Sequence, residues 1–275
     1  LRQPGPIIRA CDPIAELHGL QFVTTKSPHL RGRGDISLWV PHAEGTSLPL
    51  LILLHGVYGS HWSWPISGEA HLTAQRMTAA GAIRPLLLAM PSDGLFGDGS
   101  MYAGHQDGRD YERWILEDVP QAVAAVLPQG ITISATAIAG LSMGGFGALR
   151  LGAKHGRERY FAVSAHSSCT HLQDVEQFIE EPLSLLGIAP QDQSVLDTML
   201  QRRTDLPPLR FDCGCDDFLL PQNRALHTAM LNADIPHIYE EYPGDHSWPY
   251  WKAHLAETLL FVDRHRPDQP DVRRS

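Results

Sequence analysis

From residue 48 onward the chain alternates short, unbroken apolar runs with longer segments of helical periodicity, and this rhythm limits the fold more than any other feature. The apolar runs cover residues 48–54, 85–90, 135–139, 160–164, 209–212 and 237–242. Helical patterns occupy residues 69–80, 110–126, 144–155, 221–232 and 249–264. A strand that is apolar on both faces must be covered on both faces, and an intervening helix returns the chain to the end where the next strand starts. The pattern therefore predicts an α/β fold with a mostly parallel central sheet and helices on both sides. Upstream, residues 20–25 and the alternating stretch 35–40 flank a Gly-rich turn at 31–34, and Pro41 stops the second. They read as strands forming an antiparallel edge.

Two segments break the rhythm. Residues 92–108 are dense in Gly and Asp and predict a long loop, and long ordered loops in compact domains tend to border functional sites. Residues 170–206 place helical pieces between one strand and the next. They are too short and too amphipathic for a second domain and read as a cap or lid over the strand ends. The 275 residues then resolve into a single domain over 1–265, carrying the 170–206 insertion, and a polar, Pro-broken tail over 266–275.

Composition narrows the function classes. Lys and Arg number 22 against 31 Asp and Glu, a net charge of −9, and the basic residues are scattered singly or in pairs such as Arg31/Arg33 and Arg202/Arg203. Phosphate neutralisation needs clustered cations, so no nucleic-acid partner is expected. The longest apolar run, residues 50–54, is far short of a bilayer crossing, so no membrane span is expected. Four cysteines in a chain of this length imply no disulfide framework, which favours a reducing compartment. The opening Leu-Arg-Gln-Pro shows no basic-then-apolar leader; with a removed signal peptide as the alternative, the expectation is a cytoplasmic protein. Its oligomeric state is open, a homodimer being one option.

Chemistry concentrates at Gly140-Leu141-Ser142-Met143-Gly144, a G-x-S-x-G motif between the apolar ATAIA and the helical GFGALRLGAKHG. In that context the motif holds a serine in a strained, exposed turn, and the helix start offers backbone N–H groups to developing negative charge. A close-packed structural turn is the bland alternative, and the flanking strand and helix favour a nucleophile. A serine hydroxyl needs a base, and the base needs a carboxylate to fix its tautomer. His246, in the Gly-containing loop after the last strand, suits the base, whereas His227 and His254 sit in helical patterns where a surface role fits better. For the acid, FDCGCDDFL offers Asp212 within a strand and Asp216 and Asp217 in the loop beyond it, and residue pattern alone does not separate the last two.

An oxyanion hole needs two backbone donors: the N–H of Met143 and one from LLHGVYG, with Val57 ahead of Tyr58. Tyr58, His55 and Trp248 are the candidate substrate contacts, a structural role for the His55 imidazole being preferred to a catalytic one. Asp93, Asp98, Asp107 and Asp110 crowd one Gly-rich stretch, but their spacing lacks the alternation and closing Glu of a calcium loop. Turn-forming roles are expected for them, with Tyr102 and His105 at the pocket rim. No metal and no cofactor is expected.

LLHGVYGSHWSW, GLSMGG, CGCDDFLL and GDHSWPYW occur in that order across about residues 20–264, and together they resemble the esterase D / Putative esterase family of α/β-hydrolases. That family includes S-formylglutathione hydrolases, tributyrin and feruloyl esterases and mycolyltransferases. The resemblance implies an α/β-hydrolase fold, places the acid on Asp217 through the pattern C-G-x-x-D-F-L, places the base on His246, and assigns the oxyanion amides to Val57 and Met143. It also matches Trp248 and Trp251 to an aromatic pair after the histidine, with packing as their expected role, and implies that residues 170–206 shape an acyl pocket. There are two departures. VYGSH lacks the cysteine-containing segment of S-formylglutathione hydrolases, which counts against that activity, and His-Gly replaces the Asp-Gly opening of mycolyltransferases.

The expectation is a serine carboxylesterase acting on a small-molecule ester, with an acetyl, short-chain or feruloyl-type acyl group, through an acyl-enzyme. Acyl transfer to a sugar or lipid alcohol by the same residues is the alternative. A non-catalytic binding protein on this fold is disfavoured, because no member of the set is missing.

Overall fold

The computed structural model describes residues 8–42 and 47–267, so the tail expected over 266–275 lies almost wholly outside the described residues. These residues form one sheet of strands β1 (Ile8–Ala10), β2 (Leu20–Ser27), β3 (Gly32–Trp39), β4 (Ser47–Leu54), β5 (Leu87–Pro91), β6 (Thr132–Leu141), β7 (Val163–His166), β8 (Leu209–Gly214) and β9 (Ile238–Tyr242). Their order is β1-β2-β3-β5-β4-β6-β7-β8-β9. The pairs β1–β2, β2–β3 and β3–β5 are antiparallel, and the remaining pairs are parallel. The antiparallel edge thus lies where the N-terminal pattern puts it. Only β1, three residues long, gives no sequence signal.

The helices are α1 (Ala70–Ala79), α2 (Tyr111–Arg113), α3 (Val119–Val126), α4 (Met143–Arg159), α5 (Val195–Gln201), α6 (Leu220–Asn232) and α7 (Trp248–His265). Strand β4 shows why the sheet is covered twice. Leu50, Ile52 and Leu54 enter a core shared with Val123 of α3 and Phe146 of α4, while Leu51 and Leu53 enter the opposite core with Ala74 of α1 and Leu259 of α7. Side chains alternate across a strand, so an all-apolar strand feeds two cores.

Residues 110–126 do not make one regular helix, as their periodicity predicts. Between α2 and α3 the chain widens into a π turn at Trp114–Asp118. Pro120 lacks an N–H and its ring would crowd the carbonyl of Leu116 four residues back, and the wider turn absorbs that conflict. The 170–206 insertion consists of single turns at Leu172–Val175, Leu183–Leu185 and Pro190–Asp192 followed by α5. Much of it packs inward, with Leu172, Val175, Val195 and Met199 in the same core as α4. Phe178 is the residue it contributes to the pocket over the strand ends.

After β4 the chain crosses to β5 on one side, and after β6 it crosses to β7 on the other. Where neighbouring strands send their connections in opposite directions, a crevice opens at their carboxyl ends. Leu54 of β4 pairs with Gly140 of β6 at that point, so the G-x-S-x-G turn and the His55-Gly56-Val57 segment emerge side by side.

His55, His61, His71, His237 and His254 all have pKa values below the ordinary histidine value, with burial the leading cause in each. As pH falls below about 6.5, the unfolded chain takes up protons that the folded protein resists, so stability declines in that direction. The Tm should therefore be lower at pH 5 than at pH 7.5 in a calorimetric scan. An unchanged Tm would show that these rings titrate alike in both states.

Candidate active site

Ser142 stands between β6 and α4 with φ 53° and ψ −120°, a conformation that L-residues rarely adopt. Its N–H donates to His166 O at 3.0 Å, and its carbonyl accepts from Phe146 N–H at 3.1 Å and Cys169 N–H at 3.2 Å, so the strained residue is held from both sides. The motif's glycines are steric requirements. A Cβ on Gly140 would stand 2.2 Å from Gly144 O, and one on Gly144 would stand 2.4 Å from Leu54 O and 2.6 Å from His55 O. Without them α4 could not start so close to the ends of β4 and β6.

The structure brings Ser142, His246 and Asp217 together. His246 Nε2 lies 3.0 Å from Ser142 Oγ, and its Nδ1 lies 2.9 Å from Asp217 Oδ2. The acid loop and the histidine loop are joined by backbone bonds, Cys215 N–H to Tyr242 O at 2.8 Å and Asp216 N–H to Gly244 O at 2.9 Å. The same turn separates the two carboxylates that residue pattern alone leaves level: Asp216 is exposed, whereas Asp217, the residue the resemblance points to, is buried and also accepts from Leu219 N–H at 2.8 Å. Burial opposes ionisation of Asp217, but the hydrogen bonding and charge of His246, with the Leu219 amide, outweigh it and hold the carboxyl below its ordinary value. The His246 ring is clasped between Phe218 at 4.4 Å and the edge of Trp251 at 4.9 Å between ring centres.

Asp212, the remaining acid candidate, lies elsewhere in a sealed cluster. His166 Nδ1 is 2.9 Å from Asp212 Oδ2, Tyr250 donates its hydroxyl to Asp212 at 2.7 Å, and Arg210 pairs with the same carboxylate. His166 Nε2 faces Thr258 Oγ1 at 2.8 Å. Burial would raise the Asp212 pKa, yet His166, Arg210 and Tyr250 hold it low.

Ser142 opens into a pocket of about 650 Å³ whose walls include Tyr58, Trp62, Phe178, Phe218, Trp248 and Trp251. Lys, Arg, Asp and Glu are all absent from its lining among the described residues. Val57 lines it too, and its N–H has no hydrogen-bond partner among the described residues. Met143, as the first residue of α4, likewise has no intrahelical acceptor for its N–H. A Cβ on the adjoining Gly56 would stand 3.2 Å from Ser142 Cβ, so this segment passes directly beside the serine. Tyr58 and Trp248, two of the candidate substrate contacts, border this pocket.

His55 does not. It is buried with both ring nitrogens bonded to backbone, because the apolar end of β4 turns it under the loop. Tyr102 is also buried, giving its hydroxyl to His55 O at 2.9 Å, and His105 packs on Phe96 and Tyr111, so neither lines this pocket. The loop aspartates act as backbone acceptors or caps: Asp93 toward Leu95 and Ser100, Asp98 toward Glu180, Asp107 toward Arg109, Asp110 toward Arg113. No group of three or more potential metal ligands occurs among the described residues. Sequence reasoning misses Trp62, Phe178 and Phe218 as pocket residues. Phe218 adjoins the acid and Trp62 follows the oxyanion segment, but nothing in the insertion marks Phe178.

The crevice and its residues define a serine hydrolase on an α/β-hydrolase fold. The model of the family described as Putative esterase matches residues 27–262, and the chain belongs to that family. An acetyl esterase from Caldicellulosiruptor saccharolyticus is 25% identical over 239 residues, which is 80% of this chain and 85% of that protein. A solved ferulic acid esterase superposes with a TM-score of 0.75 at 25% identity, covering 95% of this chain and 99% of the other. An S-formylglutathione hydrolase from Staphylococcus aureus shares the fold with a TM-score of 0.74 at 19% identity, covering 94% and 99%. The protein is an esterase.

Because Ser142 has a positive φ, Ser142→Gly should relieve strain that Ser142→Ala retains. In urea titrations the Gly variant should be the more stable of the two by about 1 kcal/mol, the reverse of the usual Ala-over-Gly order.

Proposed function

We propose that this protein hydrolyses small, uncharged carboxylic esters through an acyl-enzyme on Ser142. Ser142 Oγ attacks the ester carbonyl while His246 Nε2 takes the hydroxyl proton, and Asp217 holds the Nδ1–H and balances the imidazolium that forms. The carbonyl oxygen becomes an oxyanion and accepts hydrogen bonds from the N–H groups of Val57 and Met143. As the tetrahedral intermediate collapses, His246 passes its proton to the departing alkoxide and the alcohol leaves. Water then attacks the acyl carbonyl as His246 removes a proton from it, and that proton returns to Ser142 as the carboxylic acid is released.

The observation that carries this reading is the continuous hydrogen-bonded series Asp217–His246–Ser142 at an aromatic-walled pocket. Walls without Lys, Arg, Asp or Glu suit a neutral ester with an acetyl, short-chain or aryl group. The acetyl and ferulic acid esterases among its relatives support the same range. Both act by hydrolysis in name, which favours water over a sugar or lipid alcohol as the acceptor.

Turnover of p-nitrophenyl acetate tests the assignment. Ser142→Ala and Asp217→Asn should lower kcat by on the order of 10⁴-fold, while Asp216→Asn should stay within about threefold of the parent, as expected for an exposed surface substitution. A fluorophosphonate should label the parent protein but not Ser142→Ala. Equal losses at Asp216 and Asp217, or labelling that survives Ser142→Ala, would refute these roles. In a panel of esters, a carboxylate on the acyl group should cost at least about tenfold in kcat/KM relative to a neutral isostere, because no cation meets it in the pocket.

A further inference from the structure

His55 enters none of these steps, yet its imidazole is almost wholly buried and tightly bonded. Nε2 lies 3.0 Å from the backbone nitrogen of Asp93, a group that can only donate, so Nε2 is the acceptor and carries no proton. The neutral ring therefore carries its proton on Nδ1, which donates to Gly56 O at 2.7 Å. Burial is the leading influence on this ring and lowers its pKa, against the opposing pull of the Asp93 carboxylate 3.9 Å from Nε2. The ring is wedged in place, since a Cβ on Gly59 would stand 2.6 Å from Nδ1.

Gly56 O belongs to the same peptide unit as Val57 N–H. In a trans peptide these two groups point in opposite directions. The unit runs beside the nucleophile, with the Cβ position of Gly56 3.6 Å from Ser142 Oγ. A carbonyl drawn onto a buried imidazole leaves the Val57 N–H on the pocket side. Rotation of that unit would aim an oxygen at the developing oxyanion instead.

We infer that His55 is a positioning residue: one tautomer of its ring fixes the Gly56–Val57 peptide so that Val57 N–H faces the reaction beside Ser142. This rests on the reading of Val57 as an oxyanion donor. The two preceding carbonyls are held in the same manner, Leu54 O by Trp64 Nε1–H and His55 O by the Tyr102 hydroxyl, each at 2.9 Å. Three successive carbonyls thus each accept from a buried side chain. Gly59 N–H also reaches Gly56 O, at a longer 3.3 Å, so loss of the imidazole weakens the hold without abolishing it.

Two substitutions divide the functions of the ring. In His55→Asn the amide nitrogen can take the place of Nδ1 and donate to Gly56 O; in His55→Gln the amide oxygen can take the place of Nε2 and accept from Asp93 N–H, leaving Gly56 O without its side-chain donor. His55→Gln should lower kcat on p-nitrophenyl acetate by about 10- to 100-fold, short of the full loss of an oxyanion donor, with KM changed by less than about threefold. His55→Asn should recover most of that loss even where its Tm is no higher. Equal kcat values, or a better His55→Gln enzyme, would overturn the role of His55. The parent protein supplies an independent check: ¹⁵N imidazole spectra at pH 7.5 should show His55 neutral with its proton on Nδ1, and the other tautomer would overturn the inference whether or not either variant folds. Replacing Val57 by its α-hydroxy acid deletes the N–H alone. An unchanged kcat there refutes Val57 as a donor, whereas a loss there without a loss in His55→Gln leaves the hole standing and removes His55 from it.

Discussion

The contact on which the rest depends is the one between the first turn of α4 and the end of β4, where a Cβ on Gly144 would meet Leu54 O and His55 O. Hydrogen bonding holds β4 beside β6, and the missing Cβ lets the helix start within touching distance of the neighbouring strand. That closeness puts the peptide after Gly56 next to Ser142 and forces Ser142 into its positive-φ turn. Strain of about 1–3 kcal/mol at one residue is sustainable only where the surroundings are rigid. Here they are two apolar cores, one on each face of the sheet, anchored on alternate residues of β4.

Much of this was legible in the sequence, because both the layer order and the elbow are local patterns. Unbroken runs such as residues 48–54 announce strands covered on both sides, and the loop positions of residues 217 and 246 follow from counting strand ends. What was not legible depends on turn direction or on distant segments meeting. Asp216 and Asp217 occupy one loop and differ by the way a single turn faces, so residue pattern alone leaves them level and only the family resemblance singles out Asp217. The pocket wall joins Trp62, Phe178, Phe218 and Trp251 from four separate stretches, and no periodicity links them. The π turn before Pro120 is hidden for a related reason: the helical period survives on both sides of it.

A second histidine–aspartate pair, His166 and Asp212, lies behind the site with both residues wholly enclosed. It resembles a base and its orienting acid in composition only, since no solvent or pocket atom reaches it. Its geometry suggests support instead. His166 O accepts the Ser142 N–H, and Asp212 O accepts the N–H of Ser167, so the cluster ties the ends of β6, β7 and β8 into one block. Arg210 and Glu240 extend it to β9. A buried carboxylate left without these partners would be costly, so the group holds together as a unit.

The aromatic walls bear on how a catalytic cycle ends. Hydrolysis of the neutral ester proposed above would yield an acid that is ionised at neutral pH, and a carboxylate in this pocket meets no lysine or arginine among the described lining residues. Substrate and product are nearly the same shape but differ by one charge. Under the proposed reading, walls without a cation favour the neutral ester over the ionised acid, which leaves the oxyanion N–H groups and His246 as the polar partners the product would meet there.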